Sequence, residues 1–152
     1  MSERPFVPAD FDPPTALRGE GFRLEPLGPQ HNEADLAAWT SSIEHIRATP
    51  GYPDGRWPPL GGMTLEENLA DLERHAADFA ARKGFTYTVL DPVSGDVIGC
   101  VYLYPSRSPE YEVEVQSWVR ADRAELDGPL ADAVAAWLAA EWPWRRVDRK
   151  GR

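Results

Sequence analysis

Residues 85–119 constrain most strongly what this chain can fold into. Phe85 to Leu90 and Val97 to Tyr104 are two runs rich in β-branched and aromatic residues, and Asp91-Pro92-Val93-Ser94-Gly95-Asp96 between them supplies turn chemistry. Together they predict an antiparallel hairpin. Pro105 to Pro109 makes a further loop. The run 111–119, YEVEVQSWV, then alternates: Val113, Val115, Ser117 and Val119 face one side, and Glu112, Glu114, Gln116 and Trp118 the other. Asp127-Gly128-Pro129 opens a helix with proline in its first turn, and Leu130, Val134, Trp137 and Leu138 form its buried stripe. Trp142-Pro143-Trp144 ends that helix, and 145–148 reads as a last short strand. Strand 111–119, the helix and this strand make one βαβ unit, expected to be parallel and right-handed.

Upstream, FRLEPL at 22–27 alternates as a strand and Gly28-Pro29 breaks it. A helix follows over about 32–39, and the capping-box spacing of Ser41 and Glu44 predicts a second short one. Thr64-Leu65-Glu66-Glu67 is a capping box whose helix runs to about Lys83, with Leu65, Leu69, Leu72, Ala76 and Phe79 on one face and Gly84 as the left-handed stop. Residues 1–21, with Pro5, Pro8, Pro13 and Pro14, read as an extended arm. The order β-α-α-α-β-β-β-α-β predicts the α/β class: a single domain with a mixed, mostly antiparallel sheet and helices on both faces. The expected division is an arm over 1–21, a domain over 22–148 and a tail over 149–152. The strand ending at 148 would leave an open sheet edge, so the arm or a second chain, in a homodimer, is expected to cover it.

Charge and cysteine content exclude several classes. Sixteen basic against 25 acidic residues give a net charge of −9, which argues against nucleic acid as partner. No run approaches the ~18 apolar residues of a membrane span, and no secretory signal is evident, so the expected location is cytoplasmic. The single cysteine, Cys100, is expected to be buried and inert. His31, His45 and His75 have no metal-ligand spacing, so no metal is expected. His31 reads as structural, and His45 and His75 as surface groups on helices. The Pro/Gly loop 49–62 carries Tyr52, Arg56 and Trp57. Aromatic residues in a long loop fit a substrate lid, or pins that hold the loop to the body.

A strand that ends in a loop and opens a helix is an anion site, because the first amides of the helix are unpaired and its dipole favours negative charge. Here such a junction lies between Val119 and Gly128. With FRLEPL and its following helix, the hairpin FTYTVLDPVSGDVIGCVYLYP, the strand VEVQSWV and the turn RAELDGPL, the chain resembles the GNAT superfamily of acyl-coenzyme-A-dependent N-acyltransferases, in element order from residue 22 to the end. The resemblance implies transfer of an acetyl or similar group from acetyl-CoA to a small-molecule or peptide amine. It implies backbone groups of Trp118, Val119 and Arg120 holding the pantetheine arm, and Arg123, Ala124, Asp127 and Gly128 around its pyrophosphate. It makes Glu114, with Glu112 beside it, the general base, and the Trp118 amide a donor to the oxyanion. Tyr52 and Trp57 fall on the substrate side, and an acidic surface suits a cationic amine.

Three departures from the family pattern stand out. Leu126 occupies a usual glycine position, where a side chain blocks close approach to phosphate or is strained at positive φ. Glu125 and Asp127 bring like charge to a diphosphate loop, offset by Arg120 and Arg123 or by Asp127 capping the helix. The terminal helix that carries the family's tyrosine acid has no counterpart here, leaving Tyr104, Tyr102 or Tyr111 to protonate the thiolate. The alternative function is a non-catalytic GNAT-fold binding module, with Glu112 and Glu114 on a solvated strand face.

Overall fold

The computed structural model describes residues 5–53 and 56–152, so the first part of the predicted arm and two positions of the 49–62 loop lie outside the described residues. Six strands form one sheet in the order of the chain: β1 Leu17–Gly19, β2 Phe22–Pro26, β3 Phe85–Leu90, β4 Val97–Pro105, β5 Val113–Val119 and β6 Val147–Asp148. All neighbours are antiparallel except β5 and β6, which run parallel. Four helices complete the α/β fold among the described residues: α1 Asn32–Thr40, α2 Ile43–Arg47, α3 Leu65–Ala80 and α4 Asp127–Glu141.

The strand alternation sorts side chains into two cores. On one face Phe85, Tyr87, Val89, Val101, Leu103, Val113 and Val119 meet the Leu130, Val134, Trp137 and Leu138 stripe of α4. On the other face Cys100 and Trp118 meet Trp39 of α1, Ile46 of α2, Leu72 of α3 and Tyr52. Cys100 is fully buried, and burial pushes its thiol well above the usual range.

Several expectations are corrected. The arm is not extended throughout: Leu17–Gly19 turns through Gly21, at φ +87°, and pairs with β2 as an edge strand. It thereby extends the edge opposite β6. The rest of the arm crosses the α4 face, where Phe6 stacks on Trp144 at 4.7 Å and the Trp144 indole N–H donates to Phe6 O at 2.9 Å. Among the described residues no strand of the arm pairs with β6. Ser42, not Ser41, precedes α2, and its side chain makes no cap bond. The Thr64 capping box forms as expected, with Glu67 N–H donating to Thr64 Oγ1 at 3.0 Å and Thr64 N–H to Glu67 Oε1 at 2.9 Å. α3 stops at Ala80, and Arg82, at φ +62°, takes the left-handed position expected of Gly84. Gly84 instead lies against the Tyr104 ring, where a Cβ would come within 2.2 Å. The buried stripe of α3 is rotated: Asn68, Leu72 and His75 are its centre, and Leu65 is exposed. That rotation turns polar groups inward and builds the site below.

Candidate functional site

β4 and β5 turn Tyr102, Tyr104, Glu114, Gln116 and Trp118 to the face covered by α3, because alternate residues of paired strands share a face. α3 lays Asp71, Arg74, His75 and Asp78 over them, at helical spacings of three and four residues. The 49–63 loop closes the far side. The result is a cleft of about 330 Å³ lined by Tyr52, Trp57, Met63, His75, Tyr102 and Gln116, among others. It continues through His75, Arg74, Arg107 and Gln116 into a second recess that holds Tyr104 and Glu114.

Trp57 explains how the loop is held. Its ring lies 5.4 Å from Trp39, 6.1 Å from Tyr52, 6.1 Å from Trp118 and 6.4 Å from Tyr102. The loop aromatics thus pin the loop to the body and line the cleft at once. Tyr52 is 5% exposed, its hydroxyl has no hydrogen-bond partner among the described residues, and burial pushes its phenol well above the usual range. The Gln116 side-chain amide donates to Gly51 O at 2.7 Å and ties the loop to β5.

His75 is 7% exposed, not the surface group expected. Tyr104 Oη donates to Asp78 Oδ2 at 2.9 Å and lies 2.9 Å from His75 Nδ1, and Thr86 Oγ1 lies 2.9 Å from the same nitrogen. With the phenol proton on Asp78, Nδ1 is the donor to these two oxygens. Nε2 faces Arg74 at 3.4 Å, which fits an unprotonated nitrogen. Burial holds the imidazole below its ordinary range, so it stays neutral at pH 7. Burial also pushes the Tyr104 phenol up to about 12.

Glu114 is 8% exposed and lies in the recess. It accepts from the Arg107 backbone N–H and Nε at 3.3 Å and Nη2 at 3.4 Å, and Lys150 Nζ lies 3.5 Å away. Glu112 is separated from it. It sits before β5, 3.6 Å from Arg146, and lines a different groove beside Phe6 and Trp144. Tyr111 lines that groove too.

The cofactor-side residues lie at the other end of β5. Arg120 N–H donates to Ile98 O at 2.9 Å. In an alternating ladder this turns the Trp118 and Arg120 backbone toward β4, and the groups of Val115, Ser117 and Val119 outward. β6 pairs only with Val113 and Glu114, so among the described residues that outward edge has no strand beyond Glu114. The Val119 backbone faces this strand-free edge; those of Trp118 and Arg120 face β4. The side chain of Trp118 is fully buried, with its indole N–H donating to Tyr102 Oη at 3.0 Å.

The mouth of α4 is not an open glycine loop. Residues Ala121–Leu126 form a 3₁₀ segment, and the Asp127 N–H bonds Ala124 O. Leu126 has φ −85°, so the position imposes no left-handed strain, and its side chain packs toward Gly21 and the α4-side core instead of across the mouth. Ala124 and Gly128 are exposed, and a Cβ on Gly128 would meet open space. Arg120 pairs with Asp122 through two 2.9 Å contacts, and Arg123 with Asp91 at 2.9 Å. Asp127 does not cap α4; Arg152 holds both its oxygens at 2.9 Å and also donates to Ser117 O at 3.3 Å.

The structure therefore gathers Glu114, Tyr104, Tyr52 and Trp57 around one cleft, and leaves Glu112 outside it. Sequence reasoning misses Asp71, Arg74, His75 and Asp78. Their shared helical spacing is the available signal, masked by an apolar stripe one step away. Among the described residues no cluster of three metal-ligating side chains occurs, and no helix is long and apolar enough to cross a membrane.

No family model and no curated protein sequence matches the chain. Solved structures do. The ribosomal-protein-S5-alanine acetyltransferase from Vibrio fischeri superposes with a TM-score of 0.62 at 15% identity, over 81% of this chain and 66% of its own length. A GNAT-family acetyltransferase from Bacillus anthracis gives 0.59 at 14% identity, over 87% and 70%. The microcin C7 self-immunity acetyltransferase, in complex with acetyl-CoA and AMP, gives 0.56 at 8% identity, over 82% and 67%. The chain spans just under two thirds of the first of these. Likeness at such low identity concerns architecture, and the architecture is the GNAT fold, as the sequence resemblance implied.

Proposed function

We propose, with the GNAT fold as premise, that this chain moves an acyl group, acetyl in the simplest case, from an acyl-coenzyme A to a primary amine by direct attack. One observation carries the reading: the edge of β5 beyond Glu114, which has no strand paired to it among the described residues and only the Arg152 guanidinium on Ser117 O, and the recess holding Glu114 open from the same strand. The amide-bearing arm of the donor would lie along Val115, Ser117 and Val119 as an added strand. The amine would enter from the cleft, so that the two reactants meet across β5.

Glu114 takes a proton from the incoming ammonium, directly or through water. The amine nitrogen then bonds the thioester carbon. Collapse of the adduct breaks the carbon–sulfur bond, the nitrogen gives up its second proton, and the expelled thiolate takes one up. Tyr104 retains its proton at neutral pH, as such a donor requires, and His75 stands behind it to return one through Nδ1 as its Nε2 takes one up from solvent. At the α4 end, Arg120, Arg123 and Arg152 are the cations available to a diphosphate, each by exchange from its present carboxylate partner.

Calorimetric titration with acetyl-CoA, followed by thiol release in the presence of an amine panel, tests the reading. Glu114→Gln is expected to lower kcat by roughly 10²–10⁴, the usual contribution of a general base, with acetyl-CoA affinity retained. Unchanged turnover in that variant removes Glu114 from the role. A second reading, a binding module without acyl chemistry, is favoured by the Asp127 amide already being bonded and by Lys150 and Arg152 lying on Glu114 and Asp127. Failure of acetyl-CoA and CoA to bind selects it.

A further inference from the structure

The molecule carries a net charge of −9, and that balance alone would favour a polycationic acceptor. The cleft has the opposite local character. Arg56, Arg74 and Arg107 line its wider part against one carboxylate, Asp71, among the described residues. Arg74 and Arg107 also line the recess that holds Glu114. Both guanidiniums reach solvent, with side-chain exposures of 56% and 79%.

Neither guanidinium is saturated by its present partners. Each has five N–H donors. The Arg107 guanidinium reaches Glu114 through Nε and Nη2, at 3.3 and 3.4 Å, toward the long end for charge-assisted bonds. Arg74 turns Nη2 to Asp71, and its Nη1 is 3.7 Å from Asp78. A second, independent feature points the same way. The rings of Tyr52, Trp57 and Tyr102 line the same cleft and offer a surface for an apolar body beside the guanidiniums. Met63 extends that apolar wall.

We propose that the acceptor is a primary amine that also carries a carboxylate on a small apolar body, of the chemical class of a free apolar or aromatic α-amino acid. The inference rests on the acyltransfer reading for the fate of the amine, but not for the binding. The carboxylate is received by Arg107 and Arg74, the apolar body lies on Trp57 and Tyr102, and the amine is directed to Glu114. Drawing the Arg107 guanidinium onto the ligand also removes its two contacts from Glu114, leaving that carboxylate the Arg107 backbone N–H and Lys150, and raises its readiness to accept a proton. Recognition of the anion and activation of the base are thereby linked through one side chain. The cleft volume, about 330 Å³, lies at the small end of ligand sites and matches an acceptor of this size.

The test uses four probes on the full chain without acyl donor: L-phenylalanine, L-phenylalaninamide, phenethylamine, which lacks the carboxylate, and 3-phenylpropionate, which lacks the amine. Thermal shift and calorimetry should show binding of phenylalanine and phenylpropionate, at least tenfold tighter than phenethylamine and the amide. Arg107→Gln, at a position whose side chain is 79% exposed, should weaken phenylpropionate at least tenfold. Phenethylamine binding as tightly as phenylpropionate overturns the proposal. So does an unchanged phenylpropionate affinity in Arg107→Gln, or no binding by any of the four. Transfer is then assayed separately with acetyl-CoA. Carboxylate-dependent binding with no thiol release from any amine refutes the acyltransfer reading and leaves the ligand class standing. Thiol release with phenethylamine preferred over phenylalanine does the reverse.

Discussion

Asp35 shows how a single position on α1 sets a pH dependence. It is 5% exposed, and Asn68 Nδ2, which also donates to Asn32, gives its carboxylate one bond at 3.2 Å. Burial, which outweighs the Asn68 bond, pushes its carboxyl from 3.8 up to about 6. The unfolded chain ionises at the lower value, so stability falls as pH rises from about 4 to 6 and the full cost persists above. A rise of that size corresponds to roughly 3 kcal/mol. Asp35→Asn keeps an oxygen for Asn68 and removes the charge. Its melting temperature should exceed that of the parent by several degrees at pH 8 and by much less at pH 4.5. A pH-independent difference would refute this account. His75 acts in the opposite sense: its value is held below 6.5 by burial, so its share of stability is lost as pH falls through that unfolded value and is intact above it. Neither residue is legible in the sequence as buried. Hydrophobic periodicity places apolar residues, and on α3 it points to Leu65 and Leu69; the structure rotates the helix to bury Asn68 and His75, whose partners Trp39, Asn32 and Tyr104 are 29 to 36 residues away.

At the scale of elements, β4 and β5 carry the site, and Gly99 is the contact between them that tolerates no side chain. A Cβ there would lie 2.3 Å from Trp118 O, a backbone atom that cannot swing aside. Gly99→Ala should therefore push the two strands apart at their Val119 end and cost about 1–3 kcal/mol, as overpacking does. Because Cys100 opposes Trp118 one step further on, amide exchange should accelerate first at Trp118 and Arg120. Exchange that accelerates uniformly along both strands, or a variant as stable as the parent, would count against this. Most elements are legible because alternation and capping are local: β3 matches its expected bounds, and α4 its stripe. Two are not. Leu17–Gly19 is too short to show alternation and forms only because β2 offers an edge. Ala121–Leu126 is an open phosphate loop only by family analogy; without the second glycine the chain closes into 3₁₀ turns.

At the scale of the molecule, the arm, α4 and the sheet are joined by an aromatic seam that no single element contains. Phe6 stacks on Phe85 at 5.8 Å and on Trp144 at 4.7 Å, Trp144 stacks on Trp142 at 4.9 Å, and Phe11 meets Trp142 at 5.3 Å. The seam gives the tryptophans that follow α4 a structural task within one chain. Between Phe6 and Phe11 the arm is held by this packing and by two side-chain donors, Trp144 to Phe6 O and Arg82 to Pro8 O. Trp144→Ala deletes the ring under Phe6 and the donor to Phe6 O together. The loss should be about 3–5 kcal/mol, in the range of large aromatic truncations in cores. The arm should then become protease-sensitive between Phe6 and Pro14 before the domain unfolds, because β1 remains paired with β2. The proposed acyl-donor groove lies on the far strand, β5, so acetyl-CoA binding, if present in the parent, should survive in the folded variant. Protection of the arm in Trp144→Ala would show that contacts other than the seam hold it, and would return the β1 hairpin to the role of its main anchor.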